Sequence, residues 1–238
     1  MDHCKQTLIE YLSTPFQIKG PYWICGIEPG SGSNVTAQTW EAELRKELAT
    51  PHPPILPSKI SCLREYHYGR AHIAVCASYK GLPGTSLDNS QAFLEGLGFE
   101  VTCFNLYPFP FPDAKDRHWD TLGASKVTGV QSKLEYRLLC EAHYHKSFRN
   151  SLAETSPKWI LCAGLTYLER FARAFAGYDF RGFSTVTIGG ESPFQIHRIE
   201  LKHSNTQILV APHPQGASGL NSNSKRAALG EYLRAISS

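Results

Sequence analysis

Trp23-Ile24-Cys25-Gly26-Ile27-Glu28-Pro29-Gly30-Ser31-Gly32-Ser33 is the stretch that decides how this chain is read. Trp23 to Gly26 is an apolar run with the length of a buried strand. It ends in a turn where Gly30 and Gly32 let the backbone leave sharply. Glu28 stands just past the strand's C-terminal end, and in open α/β sheets ligands bind along that edge. The amides of Gly30, Ser31, Gly32 and Ser33 serve either a plain structural turn or a cradle for an anion such as phosphate.

Outward from this stretch, strands and helices alternate. Phe99–Leu106, Lys158–Ala163 and Gln207–Ala211 read as further core strands. Helices are predicted over 4–14, over Thr36–Leu48 with Trp40, Leu44 and Leu48 at four-residue spacing, and from Asp88 or Ser90 to Leu97. Three more cover Ser132–Leu152, Leu165–Phe175 and Ser222–Ile236. In the helix over 132–152, Leu134, Leu138 and Leu139 mark the apolar side, and His143 and His145 read as solvated rather than metal-bound. Ala71–Ser78 fits a strand or a short helix, and periodicity does not decide. Phe183–Ile188 and Phe194–Leu201 read as antiparallel or edge strands. Residues 50–58, with four prolines, form an irregular link, and 113–131 a long polar loop. The pattern predicts one domain over 1–238, a three-layer α/β/α sandwich with a central, mainly parallel sheet.

Composition bounds the chemistry. The 238 residues are 42% hydrophobic and 19% charged, which gives a sizeable core and argues against disorder. A net charge of +3 is compatible with a nucleic-acid partner without requiring one. The seven cysteines are scattered and no two are spaced CxxC, so they read as core thiols of a reducing compartment. Zinc and iron–sulfur centres are therefore not expected, and no other cofactor is implied. There is no signal peptide and no apolar run near about twenty residues, so a soluble, cytoplasmic protein is expected.

Three predicted strands end in a polar residue before a Gly/Pro loop, and these residues are Glu28, Asn105 and His213. A parallel sheet puts its strand C-termini on one edge, so the three are expected to converge. A carboxylate there orients water or stabilises a cation. An amide reads a planar amide edge, and an imidazole donates to a developing oxyanion. Taken singly, each also has a plain structural reading: a cap partner, a turn former, a packed loop histidine.

The order of these motifs resembles the uracil-DNA glycosylase superfamily. Gly26-Ile27-Glu28-Pro29-Gly30 is similar to that family's first motif, Cys103-Phe104-Asn105 to its middle strand ending in Asn, and Ala211-Pro212-His213-Pro214-Gln215-Gly216 to its last. Lys158-Trp159-Ile160-Leu161-Cys162-Ala163-Gly164 is similar to its penultimate strand and turn, so the likeness spans about residues 20–236. Glu28 stands where Asp or Asn is usual, and Gln215-Gly216 where Ser-Pro is common. The resemblance implies a monofunctional DNA glycosylase, a monomer acting on DNA, with Glu28 and His213 catalytic. Gly26, Ile27, Gly30 and Asn105 would line the substrate, with Tyr107 or Phe109 stacking on the base. Ser31–Ser33 and Gln215, Gly216, Ser218 and Asn221 would face DNA, helped by Lys225 and Arg226, with Leu220 as the wedge. Strict uracil enzymes carry Tyr where this chain has Gly30, so the site is expected to admit 5-substituted pyrimidines. Some bacterial relatives are implicated in attacking phage cytosines such as glucosylated hydroxymethylcytosine, so repair and antiviral defence are both implied. No lysine in these motifs marks a Schiff-base nucleophile, so lyase activity is not expected. The alternatives are a non-catalytic nucleic-acid-binding module and a nucleoside or small-molecule hydrolase on the same fold.

Overall fold

A computed structural model describes residues 3–29, 35–49, 57–58, 63, 69–112, 115–189, 192–214 and 219–237. Among these residues seven strands form one sheet: β1 (Tyr22–Gly26), β2 (Pro57–Ser58), β3 (Val101–Asn105), β4 (Trp159–Ala163), β5 (Phe180–Ile188), β6 (Phe194–Leu201) and β7 (Gln207–Ala211). Their order is β2-β3-β1-β4-β7-β6-β5. The four central strands, β3, β1, β4 and β7, are parallel, and the flanking β2, β6 and β5 are antiparallel.

The central strands are apolar on both faces because both faces are covered. Trp23, Cys25, Ile160, Cys162, Ile208 and Val210 enter one core, while Ile24, Trp159, Leu161, Leu209 and Ala211 enter the other. This alternation is the period of two that a strand imposes. Each such side chain of Val or Ile size contributes about 1.5–3 kcal/mol by leaving water. Over the first face lie α1 (His3–Ser13), α2 (Ala37–Leu48) and the short α5 (Arg117–Thr121) and α6 (Ala124–Thr128). The same face carries a long helix, α7 (Lys133–Leu139) running through a π-turn (Cys140–Tyr144) into α8 (His145–Thr155), and then α9 (Leu168–Phe175). Over the second face lie α3 (Gly69–Tyr79), α4 (Leu87–Gly96) and α10 (Asn223–Ile236). The layers are those of an α/β/α sandwich. Among the described residues no helix is long and apolar enough to cross a membrane, and the six described cysteines are free thiols.

Several expectations change. Ala71–Ser78 is helical, within α3, and almost every residue of that helix is buried, which is why no amphipathic period showed. The polar loop expected over 113–131 holds α5 and α6, which bury Trp119, Leu122 and Val127. The helix starting at Ser132, whose Oγ accepts from the Glu135 amide, is turned the other way round from its leucines. Leu134 and Leu138 are 57% and 52% exposed, whereas Lys133, Tyr136 and Arg137 are buried. His145, expected in solvent, is fully buried, and its Nε2 donates to the Leu106 carbonyl at 3.0 Å.

Candidate functional site

The site begins with two segments zipped together beyond the strand ends. The carbonyls of Gly26, Ile27 and Pro29 accept from the amides of Leu106, Tyr107 and Phe111 at 3.0, 2.9 and 3.0 Å. The Phe109 amide donates to the Tyr136 hydroxyl at 3.1 Å. This explains the alternating sequence of 107–112: every second residue spends its N–H on a fixed acceptor, and the prolines between have none to leave unsatisfied.

Glu28 is held in that zipper, its side chain 4% exposed. Oε2 accepts from Lys133 Nζ at 2.8 Å, and Oε1 lies 3.7 Å from an Arg137 guanidinium nitrogen. Lys133 Nζ also sits 3.9 Å from the centre of the Phe111 ring, and Arg137 pairs with Asp116 at 2.8 Å. Among the described residues, two carboxylates and two cations make up this cluster. Burial pushes the Glu28 carboxyl above its ordinary range, against the downward pull of Lys133 and Arg137. Burial pushes the Lys133 ammonium down, against the pull of Glu28.

Asn105 ends β3, directly across from Gly26 in the parallel register. Its Oδ1 lies so close to Gly26 that any Cβ there would collide with it, so the glycine makes room for the amide. Glu28 Oε1 and Asn105 Oδ1 are both buried and have no hydrogen-bond partner among the described residues. Buried acceptors are normally paired. His213 lies two residues past β7, is exposed, and closes its loop by accepting the Leu220 amide at 3.3 Å on its carbonyl. Desolvation by the surrounding chain lowers its imidazole pKa.

The register fixes how these tips relate. Gly26 faces Asn105, Cys25 faces Cys162, and Ala163 faces Ala211, so β3, β1, β4 and β7 all end on one edge. At about 4.8 Å per strand, the ends of β1 and β7 are about 10 Å apart. The chain leaves β1 toward β3 on one side and leaves β4 toward β7 on the other, so a topological switch point falls between β1 and β4. There Gly164, at φ +125°, is approached by both Tyr167 and Ile27, at 3.5 and 3.6 Å from where its Cβ would stand.

Other expectations need correcting. Tyr107 and Phe109 are fully buried; Tyr107 accepts from Arg170 at 3.1 Å and Phe109 stacks on Tyr136, so neither presents a face to a base. Leu220 is 1% exposed in the second core, which rules out a wedge in this conformation. Lys225 and Arg226 donate to the carbonyls of Gly219 and Leu220 at 3.3 and 2.8 Å, so they brace their own loop. Asn221 is exposed and Ile27 half-buried. Gly30, Ser31, Gly32, Ser33, Gln215, Gly216 and Ser218 lie outside the described residues.

Lys133, Arg137 and Tyr167 were missed. The first two share a helix face with Tyr136 and Cys140 at 3-4 spacing, a signal hidden by the stronger leucine pattern. Tyr167 is half-buried beside Gly164, and the charges of Arg137 and Glu28 both act on its hydroxyl. No protein-family model matches the chain, and no curated protein is significantly similar to it.

Proposed function

We propose that this sheet edge is a nucleobase site and that the protein is a monofunctional DNA glycosylase acting on an everted, non-canonical pyrimidine. The observation that carries the reading is the pair of buried acceptors, Glu28 Oε1 and Asn105 Oδ1, that make no hydrogen bond among the described residues and stand at the ends of paired strands beside a switch point. A duplex base must leave the stack before its glycosidic bond is reachable. Asn105 then accepts from the base's amide or amino edge. Glu28 Oε1 faces the sugar, stabilises positive charge at C1′ and takes the proton of the attacking water. The C1′–N bond breaks with its electron pair on the base, and water's oxygen bonds to C1′. His213, neutral because its pKa is lowered, donates to the base carbonyl that gains charge. With Tyr107 and Phe109 buried, the half-exposed Tyr167 is the aromatic that stacks on the base.

The test is cleavage at abasic sites in DNA carrying uracil or 5-substituted pyrimidines, with free nucleosides as a parallel substrate. Glu28→Gln and His213→Ala should each lower base release about 100- to 1,000-fold. Wild-type rates in both variants would refute the assignment. Turnover of free nucleosides without DNA would replace it with a small-molecule hydrolase.

A further inference from the structure

Lys133 and Arg137 lie four residues apart on the inward face of α7, and both point at one carboxylate. Their side chains are 0% and 5% exposed, as deeply placed as Glu28 itself. A buried ion pair is a poor device for stability, because desolvation of both charges offsets most of the attraction. The geometry here is also asymmetric. Lys133 takes Oε2 in a hydrogen bond, while Oε1 keeps a cation 3.7 Å away and makes no hydrogen bond to any described residue.

We infer that Lys133 and Arg137 are positioning residues that keep Glu28 ionised in a dry site and turn Oε1 toward the substrate. This rests on the reading of Glu28 as the catalytic carboxylate. Lys133 is in turn fixed by the Phe111 ring and by the Lys115 carbonyl at 3.4 Å, and Arg137 by Asp116. Tyr136 and Cys140, on the same helix and its π-turn, and Tyr167, on the turn after β4, also feel the Glu28 charge. All three are neutral when protonated, so among the described residues the positive charge facing Glu28 comes from Lys133 and Arg137. Asp116 offsets part of Arg137, which leaves Lys133 the larger share.

The test follows the Glu28 carboxyl directly, by carbon-13 NMR titration of the wild type, with the signal assigned by its loss in Glu28→Gln. In Lys133→Met the midpoint should rise by at least about one pH unit, a tenfold change in ionisation. It should rise less in Arg137→Gln, and Lys133→Arg should restore it. The acid limb of base release in Lys133→Met should move with the midpoint, with kcat recovering at higher pH. In a merely structural pair the midpoint and the folded fraction would move while the acid limb of base release stayed in place; that result, or an unmoved midpoint in both Lys133→Met and Arg137→Gln, overturns the inference. Should Lys133→Met not fold, Arg137→Gln, which leaves the shorter ion pair in place, decides it. A midpoint that moves in a protein releasing no base would instead defeat the glycosylase reading and leave the charge clamp standing.

Discussion

His145 ties acid stability to the site. Its Nε2 faces a carbonyl, so Nε2 carries the proton and Nδ1 is bare, with no hydrogen-bond partner among the described residues. Tyr107, Tyr144 and Phe148 surround the ring, so a second proton would place a charge among aromatics. Desolvation therefore lowers its pKa to about 3, with Arg149 adding to the shift and the bond to Leu106 opposing it. The ordinary value is about 6.5, so the unfolded chain binds the proton first. Stability is then lost as pH falls from about 6.5 toward 3, at about 1.36 kcal/mol per unit. Between pH 7 and pH 5 the loss from this one residue is about 2 kcal/mol. His145→Gln keeps a donor for Leu106 and has nothing to titrate. Urea unfolding at the two pH values, followed by tryptophan fluorescence, should show the wild type losing about 2 kcal/mol more than the variant. Equal losses in the two proteins would refute the reasoning. Leu106 directly follows Asn105, so this histidine braces the segment that presents the amide.

Gly26→Ala should displace the Asn105 amide, whose end rather than its backbone meets the new methyl. It should cost about 1 kcal/mol in urea unfolding and about 100-fold in kcat/KM for base release; unchanged activity would show that the amide's orientation is not used. Gly230→Ala would drive a methyl into the Val75 carbonyl and the Tyr79 amide of α3, and should cost about 3 kcal/mol. Gly96→Ala, which meets nothing within 4 Å near the end of α4, should stabilise by about 0.5–1 kcal/mol and serves as its control in the same unfolding assay. The pH profile of base release should rise through an acid limb above the ordinary carboxylate value of about 4.3, because burial raises Glu28. It should be flat near neutrality, because His213 is already neutral there. A limb that persists in Glu28→Gln would assign it to another group.

The parallel strands were legible because burial on both faces makes Trp23–Cys25, Ile160–Cys162 and Ile208–Val210 continuously apolar, and no helix amphipathicity competes with that. That the strands leading to Glu28, Asn105 and His213 end on one edge follows from parallel topology. What failed were side chains whose direction is set by the site rather than by hydropathy. The helix after Ser132 turns Lys133 and Arg137 inward because Glu28 and Asp116 receive them, and leaves Leu134 and Leu138 in water. His145 is buried because a neutral imidazole spans aromatic and carbonyl surroundings equally well. Tyr107, Phe109 and Leu220 stand beside the motifs in sequence yet belong to the core, a distinction that neighbouring residues in sequence do not carry.

The most direct measurement is mass spectrometry of bases freed from a panel of DNAs containing uracil, cytosine, 5-hydroxymethylcytosine and its glucosylated form. Wild-type protein should release one pyrimidine class as the free base, leaving an intact sugar–phosphate strand, and Glu28→Gln should release none above background. Equal release by Glu28→Gln, or no base freed from any DNA in the panel, would contradict a glycosylase built on this edge.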